Sequence, residues 1–233
     1  MKEIFLVDDI QTFLKKSELK PTILLLGAPL LVTFHRYLGN FSSGNIDIPA
    51  IHPALLMFIS AFFMFGLIPL LIIKLIFKES IVEYGVRPGD WRFGLKSVLA
   101  FSPMICLLLL YPGAQTEEMR LFYPLDHSLQ ILSPKFFLFQ LWRGIFFYTA
   151  WEFFFRGFLL FGLRRYVGDW MAICIQTIPQ CLWHIGMPSG EIISSIAGGV
   201  LFGLLALRTG SIFWPFLLHL FIGISTDILI IIT

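Results

Sequence analysis

Six ionisable side chains lie inside apolar stretches long enough to cross a bilayer, and they are the first place to look for chemistry. A charged side chain at bilayer depth costs about 2.5–3.5 kcal/mol on insertion scales, so it normally faces the interior of a helix bundle and serves a function. The six residues are Arg143, Glu152, Arg156, His184, His219 and Asp227.

Glu152 and Arg156 are four residues apart in one apolar run, which places both side chains on the same face of a helix. The pair has two interpretations, and both can hold together. In the first, the two charges neutralise each other so that the helix can insert into the membrane. In the second, the arginine holds an ionised carboxylate in place to activate water.

His184 and His219 lie on two further predicted helices. Counted from the predicted cytoplasmic ends of their helices, Glu152, His184 and His219 are about 18, 21 and 12 Å deep. Three helices thus bring an acid and two imidazoles to a similar depth, which predicts a shared site. An acid and two imidazoles are a typical ligand set for a catalytic divalent metal, most simply zinc, with a fourth position open for water. The alternative is a metal-free site in which Glu152 is the general base and the imidazoles stabilise the oxyanion.

Four more residues are predicted to support this site. Asp227 follows His219 by two helical turns and is either a partner that orients an imidazole or an ordinary polar residue of the C-terminal helix. Glu191 opens the sixth predicted span, as a first-turn acid or as a second carboxylate at the outer rim. Tyr148 and Gln180 each lie one turn before a site residue and are expected to line the site. Arg143 falls on the opposite helix face from Glu152 and is assigned to another contact.

The composition explains what must position these residues. Of the 233 residues, 57% are hydrophobic and 14% are charged, against about 25% charged in an ordinary soluble domain. Such a chain has too much apolar surface for a soluble globule and too few charges for a disordered protein. A net charge of +2 provides no dense basic surface for nucleic acid. The sequence therefore predicts an all-α, polytopic transmembrane helix bundle.

A spanning helix needs about 20 mostly apolar residues, and the chain contains about seven candidates. They cover residues 21–38, 55–73, 97–114, 136–163, 170–185, 192–207 and 211–232.

Residues 1–20 are charged and resemble a short amphipathic segment on the cytoplasmic surface, while residues 21–233 form a single transmembrane domain with its catalytic-type core at 135–230. Lys and Arg are concentrated in the N-terminal segment and in the loops after the second, fourth and sixth spans. This distribution predicts a cytoplasmic N-terminus.

Three ordered motifs resemble the CAAX prenyl protease and bacteriocin-processing (CPBP, ABI-type) family of intramembrane proteases, also called type II CAAX endopeptidases. They are the run from Glu152 to Phe158, then His184, and then the run from Leu207 to Ser211 leading to His219. The family pattern has paired glutamates, of which the first is usually assigned to water activation. Here Trp151 occupies the first position and Glu152 the second. The family has Phe four residues before its first histidine and Asn or Asp four after its second; here these are Gln180 and Gly223.

The residues and the resemblance together predict an intramembrane endopeptidase acting on a membrane-associated protein or peptide within the lipid bilayer of a prokaryotic inner membrane. Glu152 activates water, Arg156 positions Glu152, and His184 and His219 bind a metal or the oxyanion. Two other classes stay open: a catalytically inactive relative acting as an immunity or scaffold protein, and a transporter or proton relay. The oligomeric state and the identity of the substrate are left open.

Overall fold

The computed structural model describes residues 18–39 and 52–233, and within these ranges the regular structure is helical throughout. This confirms the predicted all-α bundle. We number the seven long helices α1 to α7: Leu19–Gly39, Pro53–Phe77, Trp91–Ala114, Pro134–Val167, Asp169–Trp183, Ser189–Thr209 and Phe213–Ile232. Two shorter helical pieces, Ile81–Tyr84 and Glu117–Phe122, lie in the connections.

Five of the described helices are long and apolar enough to cross a membrane, namely α2, α3, α4, α6 and α7. Helix α5 has 15 residues, or about 22 Å at 1.5 Å per residue, against a hydrocarbon core of about 30 Å. It therefore reaches only part of the way across. The predicted amphipathic segment at 1–20 lies outside the described residues, apart from residue 18 and the first two residues of α1.

Helix α4 is the axis of the bundle. In its most apolar 18-residue stretch 83% of the residues are buried, whereas the corresponding values for α2, α3, α6 and α7 lie between 22% and 33%. The reason is local sequence: aromatic and aliphatic side chains cover all sides of its second half, including Phe154, Phe155 and Phe158, which are fully buried. A helix that is apolar all round is stable only when other helices surround it.

Helix α4 also departs from regular α-helical geometry. It contains two π-helical segments, Arg143–Tyr148 and Phe153–Phe161, on either side of the α-helical turn Thr149–Glu152. Wider turns change which residues share a face, and such segments are frequent at functional sites.

Short anchored connections fix the ends of the other site helices. Helix α6 begins where the Glu118 carboxylate accepts hydrogen bonds from the backbone N–H and hydroxyl of Ser189, both at 2.8 Å. It ends at Gly210, whose φ of +65° is the left-handed conformation that glycine adopts without strain. The start of α7 is held by the Trp214 indole, which donates to the carbonyl of Pro88 at 2.8 Å.

Candidate functional site

The centre of the site is a buried ion pair on α4. Glu152 and Arg156 both have no solvent-exposed surface, and Arg156 Nε lies 3.2 Å from Glu152 Oε2. The guanidinium also lies over the ring of Phe202, 5.1 Å from its centroid. None of its three nitrogens has a hydrogen-bond partner among the described residues, so the contact with Glu152 is an ion pair without a hydrogen bond. Glu152 is therefore the counter-ion that makes burial of this arginine tolerable.

Glu152 also binds the imidazole of His219, which α7 brings to the same level. Glu152 Oε1 and His219 Nδ1 are 2.7 Å apart. Because a carboxylate only accepts hydrogen bonds, Nδ1 carries the proton and Nε2 is left free. The His219 side chain keeps 20% of its surface exposed, whereas Glu152 has none. The carboxylate thus lies behind the imidazole and does not line either of the cavities described below.

The second imidazole is oriented in a comparable way. His184 follows the last residue of α5, and its Nδ1 lies 2.8 Å from the backbone carbonyl of Gln180. A carbonyl is also only an acceptor, so Nε2 is again the free nitrogen. The indole of Trp151 contacts both histidines, with ring centroids 5.6 Å from His184 and 6.0 Å from His219. The residue in the place of the family's first glutamate therefore fills space between the two imidazoles.

Two cavities meet at this point. One, of about 370 Å³, is bordered by both histidines and Trp151. The other, of about 500 Å³, is bordered by leucines of α3 and by the first turns of α6. Five residues border both cavities: Tyr123, Arg143, Tyr148, Glu191 and His219. His219 thus borders a cavity on each of two sides.

Asp227 does not orient an imidazole, which corrects one sequence expectation. Its Oδ2 accepts from Arg143 Nη1 at 3.1 Å and from Gln140 Nε2 at 2.6 Å. The eight-residue spacing from His219 turns it toward the first half of α4 instead. Arg143, assigned to another contact, indeed pairs with Asp227, yet it also borders both cavities. The π-helical segment Arg143–Tyr148 lies between Arg143 and Glu152, so the angle between these two side chains differs from that in a uniform α-helix.

Of the other predicted supporting residues, Tyr148 and Glu191 line the site and Gln180 does not. Tyr148 borders both cavities, with its ring centroid 4.5 Å from that of His219. Glu191 borders both as well, and its carboxylate accepts hydrogen bonds of 2.8 and 2.9 Å from the Tyr123 hydroxyl. Gln180 does not line the site: its side-chain amide donates to the carbonyl of Ser195, 2.9 Å away on α6. Only its backbone carbonyl serves the site, through His184.

The donor set does not form a three-ligand metal centre. Within residues 18–39 and 52–233, no group of three or more His, Cys, Asp and Glu side chains is arranged to hold a metal ion. The reason lies in Glu152: one carboxylate oxygen accepts from His219 Nδ1 and the other faces Arg156. The carboxylate therefore hydrogen-bonds to the imidazole of His219 and does not share a common metal position with both imidazoles.

Comparison with known proteins bears on this arrangement. Residues 133–225 match the family model for type II CAAX prenyl endopeptidase Rce1-like proteins. The match confirms the resemblance to the CAAX prenyl protease family. No curated protein and no solved structure matches the chain.

The matched segment runs from the start of α4 into α7 and includes Glu152, Arg156, His184 and His219, but it ends before Asp227. It supports a CAAX-type intramembrane protease as the kind of function. Together with the five long apolar helices, it indicates an integral membrane protein.

Proposed function

We propose that this protein is an intramembrane endopeptidase that hydrolyses a peptide bond of a membrane-associated protein or peptide, with His219 as the general base. The observation that carries the proposal is the 2.7 Å hydrogen bond between the buried carboxylate of Glu152 and the cavity-facing imidazole of His219. It makes a carboxylate–imidazole pair in which the acid orients the ring and stabilises its protonated form.

The proposed reaction follows from the positions of the protons. His219 Nε2 accepts a proton from a water molecule as its oxygen attacks the scissile carbonyl. The resulting imidazolium lies against the Glu152 carboxylate, which Arg156 holds in place. His219 then returns the proton to the leaving amine as the tetrahedral intermediate collapses. His184 borders the same cavity with its own Nε2 free, and we assign it to holding the attacking water.

The surroundings suit a substrate that comes from the bilayer. The larger cavity is bordered by Leu108, Leu109 and Leu110, and the first two of these have more than half of their surface exposed on the outside of the bundle. An apolar border next to the lipid admits a membrane-associated chain without exposing it to bulk water. We propose a prokaryotic cell membrane as its location. The distribution of Lys and Arg supports an N-terminus in the cytoplasm.

The test is peptide cleavage by the purified full chain in proteoliposomes. One substrate is a fluorogenic peptide with a C-terminal CAAX sequence, tested in a farnesylated and an unmodified version. The other consists of membranes from a host lacking the protein, and new peptide termini in these membranes are mapped by mass spectrometry. We expect wild-type cleavage and a loss of at least about 100-fold in His219→Ala. His127→Ala, which changes an exposed loop histidine, is the matched control and should keep full activity. New termini that are equally abundant with His219→Ala and with wild type would refute the proposal.

A second candidate, a catalytically inactive relative acting as an immunity or scaffold protein, is favoured by one observation. Trp151 fills the space between the two imidazoles, in the position where the family carries a glutamate. This candidate predicts that His219→Ala and His184→Ala keep full cellular function. It also predicts no new termini for wild type in the membrane assay.

A further inference from the structure

Amide hydrolysis requires a hydrogen-bond donor for the oxygen that becomes negative in the transition state. In the site described above, the N–H groups of both neutral histidines point away from the free nitrogens: His219 Nδ1 donates to Glu152 and His184 Nδ1 to a backbone carbonyl. The hydroxyl of Tyr123 is also engaged, since it donates to Glu191. These three N–H and O–H groups are therefore not available to the oxyanion, and the unpartnered Trp151 Nε1 and Arg143 Nε are fully buried atoms.

Tyr148 has the geometry that this role needs. It lies one turn before Glu152 on α4, and its ring packs against His219 with a centroid separation of 4.5 Å. It borders both cavities. Its hydroxyl makes no hydrogen bond to any other residue that the structure describes. The hydroxyl oxygen is also not fully buried. The phenol is thus an uncommitted donor beside the general base.

Gly223 explains why the phenol can occupy this place. It lies one turn after His219 on α7, and a β-carbon at this position would overlap the Tyr148 hydroxyl oxygen and lie 2.6 Å from the ring carbon that bears it. Such a distance is far below van der Waals contact. The hydroxyl therefore fills the space that a side chain at residue 223 would take, at the position where the motif of the resembling family has Asn or Asp. The Tyr148 hydroxyl of α4 thus lies where α7 has no polar side chain at residue 223.

We infer that the Tyr148 hydroxyl donates a hydrogen bond to the carbonyl oxygen of the scissile peptide bond, and that Gly223 is required to admit it. This inference rests on the proposed function. The guanidinium of Arg143, 5.1 Å from the Tyr148 ring centroid, helps to hold the ring, and Asp227 in turn holds Arg143. No proton is transferred to or from Tyr148; its hydrogen bond strengthens as charge develops on the substrate oxygen.

The test is steady-state kinetics of three variants in the proteoliposome assay, using whichever CAAX peptide the wild type cleaves. Tyr148→Phe should lower kcat by about 10²–10³-fold with KM changed less than about threefold, the loss typical of removing one oxyanion donor. Tyr166→Phe, which removes the hydroxyl of an exposed tyrosine, is the matched control and should leave both constants unchanged. Combining Tyr148→Ala with Gly223→Asn should recover at least tenfold in kcat over Tyr148→Ala alone, because the side-chain amide then enters the vacated space.

The outcomes separate this inference from the proposed function. If wild type cleaves and His219→Ala does not, but Tyr148→Phe stays within threefold of wild type, the inference fails and the proposed function stands. If Tyr148→Phe loses activity together with thermal stability, or the double variant recovers nothing, the hydroxyl acts through packing and the inference fails. If wild type produces no cleavage at all, both fail.

Discussion

Glu152→Gln should destabilise the protein much more than an ordinary polar substitution, and the reason is Arg156. Glutamine has nearly the same shape as glutamate and can still accept the hydrogen bond from His219 Nδ1. What it removes is the negative charge 3.2 Å from a fully buried guanidinium. Two unit charges at that separation interact by about 5 kcal/mol at an effective dielectric constant of about 20. Removing one partner of a buried pair costs about 3–5 kcal/mol.

Thermal unfolding in a fixed detergent or nanodisc is the assay. For a chain of this size we expect Tm to fall by about 10 °C in Glu152→Gln. Combining it with Arg156→Met removes both charges, and we expect most of the lost stability to return, since replacing a buried pair with apolar groups is often neutral. Asp90→Asn is the matched control: it breaks the exposed pair with Arg208, keeps an N-cap residue, and should leave Tm unchanged.

The double variant also separates folding from catalysis. It should be stable but inactive, because its imidazole lacks the carboxylate that stabilises the protonated ring. A Glu152→Gln protein whose free energy of unfolding is within about 1 kcal/mol of wild type would refute the reasoning, since the buried arginine would then have another source of compensation.

Three further predictions follow. Gly94→Ala should destabilise by about 1–3 kcal/mol, because a β-carbon there would overlap the Trp214 ring, whereas Gly113→Ala has nothing within 4 Å and should be neutral in the same unfolding assay; equal Tm values for the two would contradict this packing. Burial alone would raise the pKa of the Glu79 carboxyl, but hydrogen bonds from Lys20 and Tyr84 hold that pKa below its ordinary value. The ionised Glu79 carboxylate therefore adds stability above about pH 4.3, and this stability is lost on further acidification. Glu79→Gln should lower Tm at neutral pH and make the fall of Tm in acid less steep. If the plots of Tm against pH for wild type and variant run parallel, Glu79 does not contribute to the pH dependence of stability. Finally, purified protein should contain no stoichiometric zinc and keep its activity with a chelator, because the Glu152 carboxylate is committed to His219 and Arg156; one zinc per chain, lost in His184→Ala, would restore the metal mechanism.

Much of the site was predictable because it depends on short-range sequence properties. The apolar runs predicted the helices, and the four-residue spacing of Glu152 and Arg156 predicted their pairing on one face. The positions of His184 and His219 along their helices predicted that both lie at the depth of Glu152. The depths use only distance along a helix, which is proportional to residue number, and the pairing uses the rotation over a single helical turn.

The failures share another cause, which is the neighbouring helix that a side chain meets. Asp227 turned to Arg143 and not to an imidazole, and Gln180 turned to Ser195 and not to the cavity. Both residues lie on regular α-helices, so periodicity gives the face of its own helix on which each lies. It does not say which neighbouring helix packs against that face, and the packing of α4 beside α7 and of α6 beside α5 decided the partners.

The sequence by itself determined that this is a membrane-spanning helical protein with an acid, an arginine and two histidines at a common depth, since hydropathy and spacing are properties of single segments. Only the tertiary structure decided that Glu152 lies behind His219, that Trp151 fills the space between the imidazoles, and that the Tyr148 hydroxyl occupies the place left by Gly223. These are relations between atoms on different helices, and they depend on how the helices rotate and pack against one another.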